Sequence, residues 1–214
     1  MTSAVYEPQQ NAALRECEIF VRQFDDDLGF QDLFGNAHPL EIEIGSGRGR
    51  FLIKSAQDNP NVNYLGIERA YKFFHYTKDR VAAAGVANVR LLRTEADYFI
   101  WGYVPRNSVQ AFHIYFPDPW PKNKHHRRRL INPEFFDLLR DRLAPGGSIH
   151  LATDFTAYFE IMRKAGRGCA GLDELYCRTI DPRGSDPESA ATHYERRFFI
   201  HGLKIYRAGY IKHP

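Results

Sequence analysis

The chain has 214 residues, with 29 Lys+Arg against 26 Asp+Glu, a formal charge of +3, 43% hydrophobic and 14% aromatic residues. That length suits one domain, and the apolar content excludes a disordered chain, which lacks surface to bury. Five positive charges and no acid fall in Lys122-Asn123-Lys124-His125-His126-Arg127-Arg128-Arg129, so the rest of the chain is slightly acidic and the strip alone points to an anionic partner.

Residues 1–38 have no clear period and read as an N-terminal arm, with turns at Asp25-Asp26-Asp27 and Gly29; residues 39–214 read as the main domain. Leu40-Glu41-Ile42-Glu43-Ile44 alternates with period two and predicts a strand entering a glycine turn. A helix follows from Arg50 to Gln57, a strand from Asn63 to Glu68, and a helix from Tyr71 to Ala84 that Gly85 ends. Val89 to Leu92 and Val109 to Phe116 are the next strands. Asn132 caps a helix from Pro133 to Leu143; Ala144-Pro145-Gly146-Gly147 breaks the chain before a strand from Ser148 to Thr153. Residues 181–190 form a loop, and the β-rich run from Arg196 to Ile211 predicts an antiparallel end. This alternation is that of an α/β fold, a doubly wound, mostly parallel sheet with an antiparallel C-terminal strand.

Cys17, Cys169 and Cys177 offer neither a disulfide framework nor zinc spacing, which predicts a reduced cytoplasmic protein. No apolar run approaches the length of a membrane span, and Met1 to Gln10 has no apolar signal region, so neither a membrane partner nor a signal peptide is expected. His125 and His126 project differently and no Cys or carboxylate joins them at ligand spacing, so no metal is expected.

Gly45-Ser46-Gly47-Arg48-Gly49 joins a strand to a helix, where glycines let a ligand approach the backbone. A dinucleotide fingerprint needs a small residue at position 50; Arg50 stands there, which weighs against a nicotinamide dehydrogenase. Glu43, Glu68 and Glu95 sit at the C-terminal ends of successive parallel strands and therefore share one crevice. Glu68, about 20 residues beyond the turn, is spaced to accept from a ribose diol. An acidic rim suits ribose hydroxyls, an ammonium and a sulfonium and repels a pyrophosphate, so the crevice reads as an S-adenosylmethionine (SAM) site.

The strand ending at Phe116 delivers Pro117-Asp118-Pro119-Trp120-Pro121 to the same edge. Three prolines hold Asp118 and Trp120 in a stiff frame. The basic strip follows at once, bringing together a carboxylate, an aromatic and phosphate-binding cations, the parts that hold a nucleobase.

At these residues the sequence resembles the tRNA (guanine-N7-)-methyltransferase family. The matching pieces are Glu41-Ile42-Glu43-Ile44-Gly45-Ser46-Gly47-Arg48-Gly49, Gly66-Ile67-Glu68, Tyr115-Phe116-Pro117-Asp118-Pro119-Trp120-Pro121-Lys122, His125-His126-Arg127-Arg128-Arg129-Leu130, Ala152-Thr153-Asp154 and Thr192-His193-Tyr194-Glu195. They span roughly residues 40–207; the Pro-Asp-Pro-Trp block is specific, the glycine turn generic. The resemblance implies a class I methyltransferase (Rossmann-like) fold, SAM as donor, and N7 of guanosine 46 in the tRNA variable loop as acceptor. It implies Glu43, Gly45, Gly47, Glu68, Glu95 and Asp118 as cofactor contacts, with Asp118 also catalytic. Lys122, Asp154, Thr192, His193, Tyr194 and Glu195 become substrate contacts, and Lys124, Arg127, Arg128 and Arg129 an RNA-backbone grip. Glu95 departs from the family pattern, where Asp or Asn is usual. An amino-group nucleic-acid methyltransferase, which carries an Asp/Asn-Pro-Pro-aromatic loop at this strand end, and a non-catalytic RNA-binding module are the competing readings. Monomer and homodimer both stay open.

Overall fold

A computed structural model describes residues 17–25, 29–183 and 185–214, without the side chains of Gln23 and Asp25. In chain order it forms β1 (Glu18–Ile19), α1 (Arg22–Asp25), α2 (Phe30–Phe34), β2 (Leu40–Ile44), α3 (Arg50–Asp58), β3 (Asn63–Ile67), α4 (Tyr71–Ala84) and β4 (Val89–Leu92). Next come α5 (Ala96–Tyr103), β5 (Val109–Tyr115), a 3₁₀ helix (Asn123–Arg128), α6 (Pro133–Arg142) and β6 (Leu143–Thr153). The chain ends with α7 (Thr156–Gly168), β7 (Leu172–Ile180), a short 3₁₀ turn (Pro187–Ser189), α8 (His193–His201) and β8 (Ile205–Lys212). The turn expected at Asp25-Asp26-Asp27 and the arm before residue 17 lie outside the described residues, the first of these only in part.

One sheet has the order β1-β4-β3-β2-β5-β6-β8-β7. Pairs from β1 through β6 are parallel, and β8 runs antiparallel to both β6 and β7. The doubly wound, mostly parallel architecture with an antiparallel end is therefore the one the sequence predicts. Its chain winds outward from β2 through β3 to β4, then returns to lay β5 on the other side of β2. That reversal opens a crevice at the C-terminal ends of β2 and β5, where open α/β sheets bind ligands.

Alternation decides which side chains enter which layer. Ile42, Ile44, Phe112, Ile114, Ile149 and Leu151 form one buried cluster with Phe99, Phe136, Leu139, Tyr158 and Met162 of α5, α6 and α7. On the other face Leu52 and Ala56 of α3 and Phe74 and Val81 of α4 cover Tyr64, Val89 and Leu91. Gly66 permits this second layer to close: a Cβ there would lie 2.5 Å from Leu52 Cδ1 and 2.6 Å from Ser46 Oγ. Glu41 and Glu43 share that face of β2, and only Glu43, at the crevice end, is fully buried.

Two boundaries differ from expectation. The Ala144-Pro145-Gly146-Gly147 break lies inside β6, which starts at Leu143; pairing jumps from Val109↔Leu143 to Ala111↔Ser148, and Gly146 adopts φ 73° in the bulge. The β-rich reading from Arg196 is wrong up to His201. Those residues belong to α8, which Thr192 caps by accepting the Glu195 N–H at 3.0 Å and which left-handed Gly202 ends. The strand propensity of Phe198-Phe199-Ile200 yields to this capping and to the packing of Phe198 on Phe116, 5.2 Å between centroids. The helices α5 and α7 and the strand β7 also go unassigned by the sequence reading. Buried Tyr158, Phe159, Met162 and Ala165 on α7, at helical spacing, were a readable signal. The Asn132 cap forms as expected, its side chain accepting the Phe135 N–H at 2.8 Å.

Candidate active site

The glycine turn forms the floor of the crevice. Gly45, Gly47 and Gly49 all have left-handed φ, 81°, 54° and 69°, which side chains would strain. Thr77 on α4 locks the turn by donating to the Gly47 carbonyl at 2.8 Å. Glu68 locks it from the other side. Its two oxygens accept the N–H groups of Gly47 at 3.0 Å and of Ala70 at 2.8 Å. Each oxygen keeps a second lone pair for a ligand hydroxyl.

Glu43 is 3% exposed and lines the same cavity, yet its Oε2 has no hydrogen-bond partner among the described residues, nor does the buried Ser46 Oγ. Burial, reinforced by the charge of Glu68, pushes the Glu43 carboxyl well above the ordinary carboxylate range. Glu95 also lines the cavity, exposed, in a loose ion pair with Arg69 at 3.4 Å. All three acids thus line one cavity of about 1310 Å³, along with Gly45, Gly47, Asp118, Trp120, Arg127, Arg128, Thr192, His193 and Tyr194. That volume exceeds what one drug-sized ligand fills.

The Asp118 loop is stiffer than its prolines alone require. Phe116 (φ 54°) and Trp120 (φ 40°) are left-handed without being glycine, and each precedes a proline. Such residues cost about 1–3 kcal/mol each and persist only where the surroundings over-determine them. Here the Phe116 N–H donates to the Ala152 carbonyl at 2.8 Å, and its ring stacks on Tyr194. Arg129 grips the other end, donating to the carbonyls of Pro119 at 2.8 Å and Trp120 at 3.3 Å, with its guanidinium 4.9 Å from the Tyr158 ring.

Arg129 therefore differs from its neighbours. It is 7% exposed and faces inward, whereas Lys122, Lys124, Arg127 and Arg128 are exposed. Its guanidinium is engaged by the loop carbonyls, and the little of it that is exposed lines the cavity. Trp120 carries Arg128 over one face at 5.0 Å and meets His125 edge-on. Lys122 lines neither this cavity nor the one beyond Asp118.

That second concavity, about 650 Å³, is lined by Asp118, Pro119, Asp154, Tyr194, Arg197 and Phe198, among others. Asp118, Phe116, Pro117, Tyr194 and Arg197 border both, so Asp118 stands on the shared wall. In the late motif the four residues divide. His193 and Tyr194 face the cavities, while Glu195 is 2% exposed, accepts the Ala191 N–H at 2.7 Å and pairs with Arg207. Thr192 lines the cavity as well as capping α8. Sequence reasoning missed the tether that holds this motif down: Arg50 donates to the carbonyls of Glu188 at 2.7 Å and Ala190 at 3.0 Å. The only signal for it was a cation in the slot of a small residue.

Residues 37–208 match the model of a methyltransferase family described as "Putative methyltransferase". A tRNA (guanine-N(7)-)-methyltransferase of Geobacter metallireducens is 39% identical, the match covering 84% of this chain and 85% of the relative. Proteins of the same name from Streptococcus thermophilus and Halorhodospira halophila are 37% and 36% identical, covering 83% and 87% of this chain and 83% and 80% of theirs. The chain belongs to the tRNA (guanine-N7-)-methyltransferase family.

Among solved structures, an antibiotic-related methyltransferase aligns with a TM-score of 0.62 at 15% identity, covering 86% of this chain and 95% of its own. A mutant 16S rRNA (adenine(1408)-N(1))-methyltransferase of Catenulisporales acidiphilia, solved with cosubstrate SAM, aligns at 0.57 and 14% identity, over 91% and 92%. These likenesses establish the fold, that of the class I methyltransferases. In this tRNA (guanine-N7-)-methyltransferase family member, Glu43, Glu68 and Glu95 line one cavity together with Arg127, Arg128 and Asp118.

Proposed function

We propose that this chain transfers a methyl group from SAM to N7 of a guanosine in tRNA, guanosine 46 of the variable loop, in the cytoplasm. The carrying observation is Asp118 on the wall between an acid-floored cavity and a second concavity, beside a cationic rim. The cavity fits SAM on its own terms. Buried Glu43 Oε2 and Ser46 Oγ lack partners, and the glycine turn presents bare backbone. Glu43, Glu68, Glu95 and the turn at Gly45 and Gly47 would hold the cofactor. When bound, SAM supplies an electrophilic methyl on a cationic sulfur, which the in-plane lone pair of N7 can accept directly.

Guanine N7 carries no hydrogen, so no general base has to remove a proton from it. Positive charge instead develops on the purine, and Asp118 is assigned the task of stabilising that charge and orienting the ring through its N1 and N2 hydrogens. Stiffness matters because alignment supplies much of the acceleration, and the loop around Asp118 is anchored at both ends. Trp120 offers a stacking face. Asp154, Tyr194 and Arg197 border the concavity on the far side of Asp118, where the nucleoside would enter, and exposed Lys122 would meet its backbone.

The test is methyl transfer from labelled SAM to unmodified tRNA, with the product nucleoside identified and its position mapped. N7-methylguanosine, whose ring opens in alkali, at position 46 is expected; Asp118→Ala and Asp118→Asn should abolish turnover while SAM still binds. An amino-methylated base would favour the amino-group reading, and absence of SAM binding would leave an RNA-binding module.

A further inference from the structure

A second cationic cluster, on the glycine turn and α4, meets the cavity through Arg48 and belongs to no part of the basic strip. Arg48, in the glycine turn, and Arg80, on α4, both place their guanidinium groups on the ring of Tyr76, at 5.6 and 6.0 Å from its centroid. Arg80 Nη1 also donates to the Arg48 carbonyl at 2.5 Å, so the turn and the helix present the two cations as a unit. Tyr76 is 46% exposed and Arg48 is exposed. Among the described residues no carboxylate forms an ion pair with either arginine. Arg50 and Arg196, which also act on His193, are both engaged by Glu188. The field is felt locally: burial, then Arg48, Arg196, Arg80 and Arg50, hold the His193 imidazole below its ordinary value.

Two like charges sharing one ring repel each other unless an anion joins them. Arg48 stands on the cavity rim beside Thr192, His193 and Tyr194, and Arg127, Arg128 and Trp120 stand on the same cavity's rim from the Asp118 loop. Both rims have one construction, guanidinium over an aromatic ring. A polynucleotide that puts one base into the cavity continues in two directions and has to cross both.

We propose that Arg48, Tyr76 and Arg80 form a second RNA grip, which binds backbone phosphate on the side of the target nucleotide away from Arg127 and Arg128. Tyr76 fixes the planes of the two guanidinium groups so that they face one phosphate path. This rests on the reading of the chain as a tRNA methyltransferase and extends its contact surface beyond the family's Pro-Asp-Pro-Trp block.

The test is tRNA binding as a function of salt for the Arg48→Gln/Arg80→Gln double variant, beside Arg127→Gln/Arg128→Gln and the charge-retaining Arg48→Lys/Arg80→Lys. SAM affinity is measured for each. The double glutamine variant should lose on the order of tenfold in tRNA affinity and about one unit of salt slope per phosphate contact. Because Arg48 belongs to the glycine turn, SAM affinity is the control: the tRNA loss should persist both without SAM and at saturating SAM, and the lysine variant should recover most of the slope. An unchanged slope overturns the grip, as does a loss of SAM affinity that accounts for the whole effect, which would assign Arg48 to the cofactor. If the unaltered protein fails to bind tRNA, the functional reading falls and the grip with it; if only the Arg127/Arg128 variant responds to salt, the grip alone falls.

Discussion

Arg129 separates two uses of a cation that the sequence presents as one strip. Replacing it with Met keeps the length and apolar stem but removes the donors. The bond to the Pro119 carbonyl, charged and 2.8 Å long, is worth about 1.5–3 kcal/mol, and the longer one to Trp120 less. Contact with the Tyr158 ring at 4.9 Å adds about 1–2 kcal/mol in a desolvated setting. Against this, a buried cation is removed from a site where apolar residues of similar size are often tolerated, so the global loss is smaller, roughly 1–3 kcal/mol. The local loss is larger in consequence. Left-handed Trp120 has its carbonyl held by Arg129, and once released its strain relaxes and moves Asp118. A misplacement near 1 Å costs on the order of 100-fold in rate. Single-turnover methyl transfer to unmodified tRNA, repeated across a salt series, reads both effects. Arg129→Met should lower the rate on that scale and leave the salt slope of binding intact, whereas Arg127→Gln should lower the slope by about one unit and spare the rate. A reduced slope with an intact single-turnover rate for Arg129→Met would refute the reasoning.

Glu43 gives a pH signature. Its carboxyl is held above the ordinary range in the free protein, so its contribution to stability is present at low pH and lost as pH rises through the folded-state value. A cationic ligand favours the ionised form, so SAM binding should release a proton below that value and tighten with rising pH; calorimetry in buffers of different ionisation heat should show this, and Glu43→Gln should flatten it. Equal proton release by the Gln variant would clear Glu43 of the role. Gly66→Ala would force a methyl to within 2.5 Å of Leu52 and 2.6 Å of Ser46, an overpacking of about 1–3 kcal/mol, or on the order of 5 °C in Tm, with weaker SAM binding because Ser46 belongs to the glycine turn. An unchanged melting curve would show that α3 shifts freely.

The central layer of the fold was legible because its signals are local. Leu40-Glu41-Ile42-Glu43-Ile44 carries its own period, Asn132 and Pro133 their own cap, and Gly85 its own stop, at φ 65°. The convergence of Glu43, Glu68 and Glu95 was legible for a topological reason, since parallel strands deliver their ends to one edge. What was not legible depended on partners far along the chain. Arg50 finds Glu188 and Ala190 across 138 and 140 residues, and Glu195 finds Arg207 only after α8 has turned the chain back. The capping pattern Thr192-His193-Tyr194-Glu195 was present in plain view, but a substrate role and a capping role use the same residues. Burial alone divides them, sending Glu195 inward and leaving Tyr194 on the rim.

The basic strip shows why adjacency misled where topology did not. Residues Asn123–Arg128 form a 3₁₀ helix, which brings every third side chain onto the same rib. His125 and Arg128 share one rib and both meet the Trp120 ring, at 5.7 and 5.0 Å. Lys124 and Arg127 share another and stay exposed. Arg129 follows the last turn, where the chain leaves the helix, and is directed into the Pro119 and Trp120 carbonyls. Five formal charges within eight residues therefore hold three kinds of position: exposed, laid on an aromatic, and buried as a clamp on the Asp118 loop. The charge that this strip leaves free is smaller than the sequence count, and the proposed grip at Arg48 and Arg80 would add to it from outside the strip.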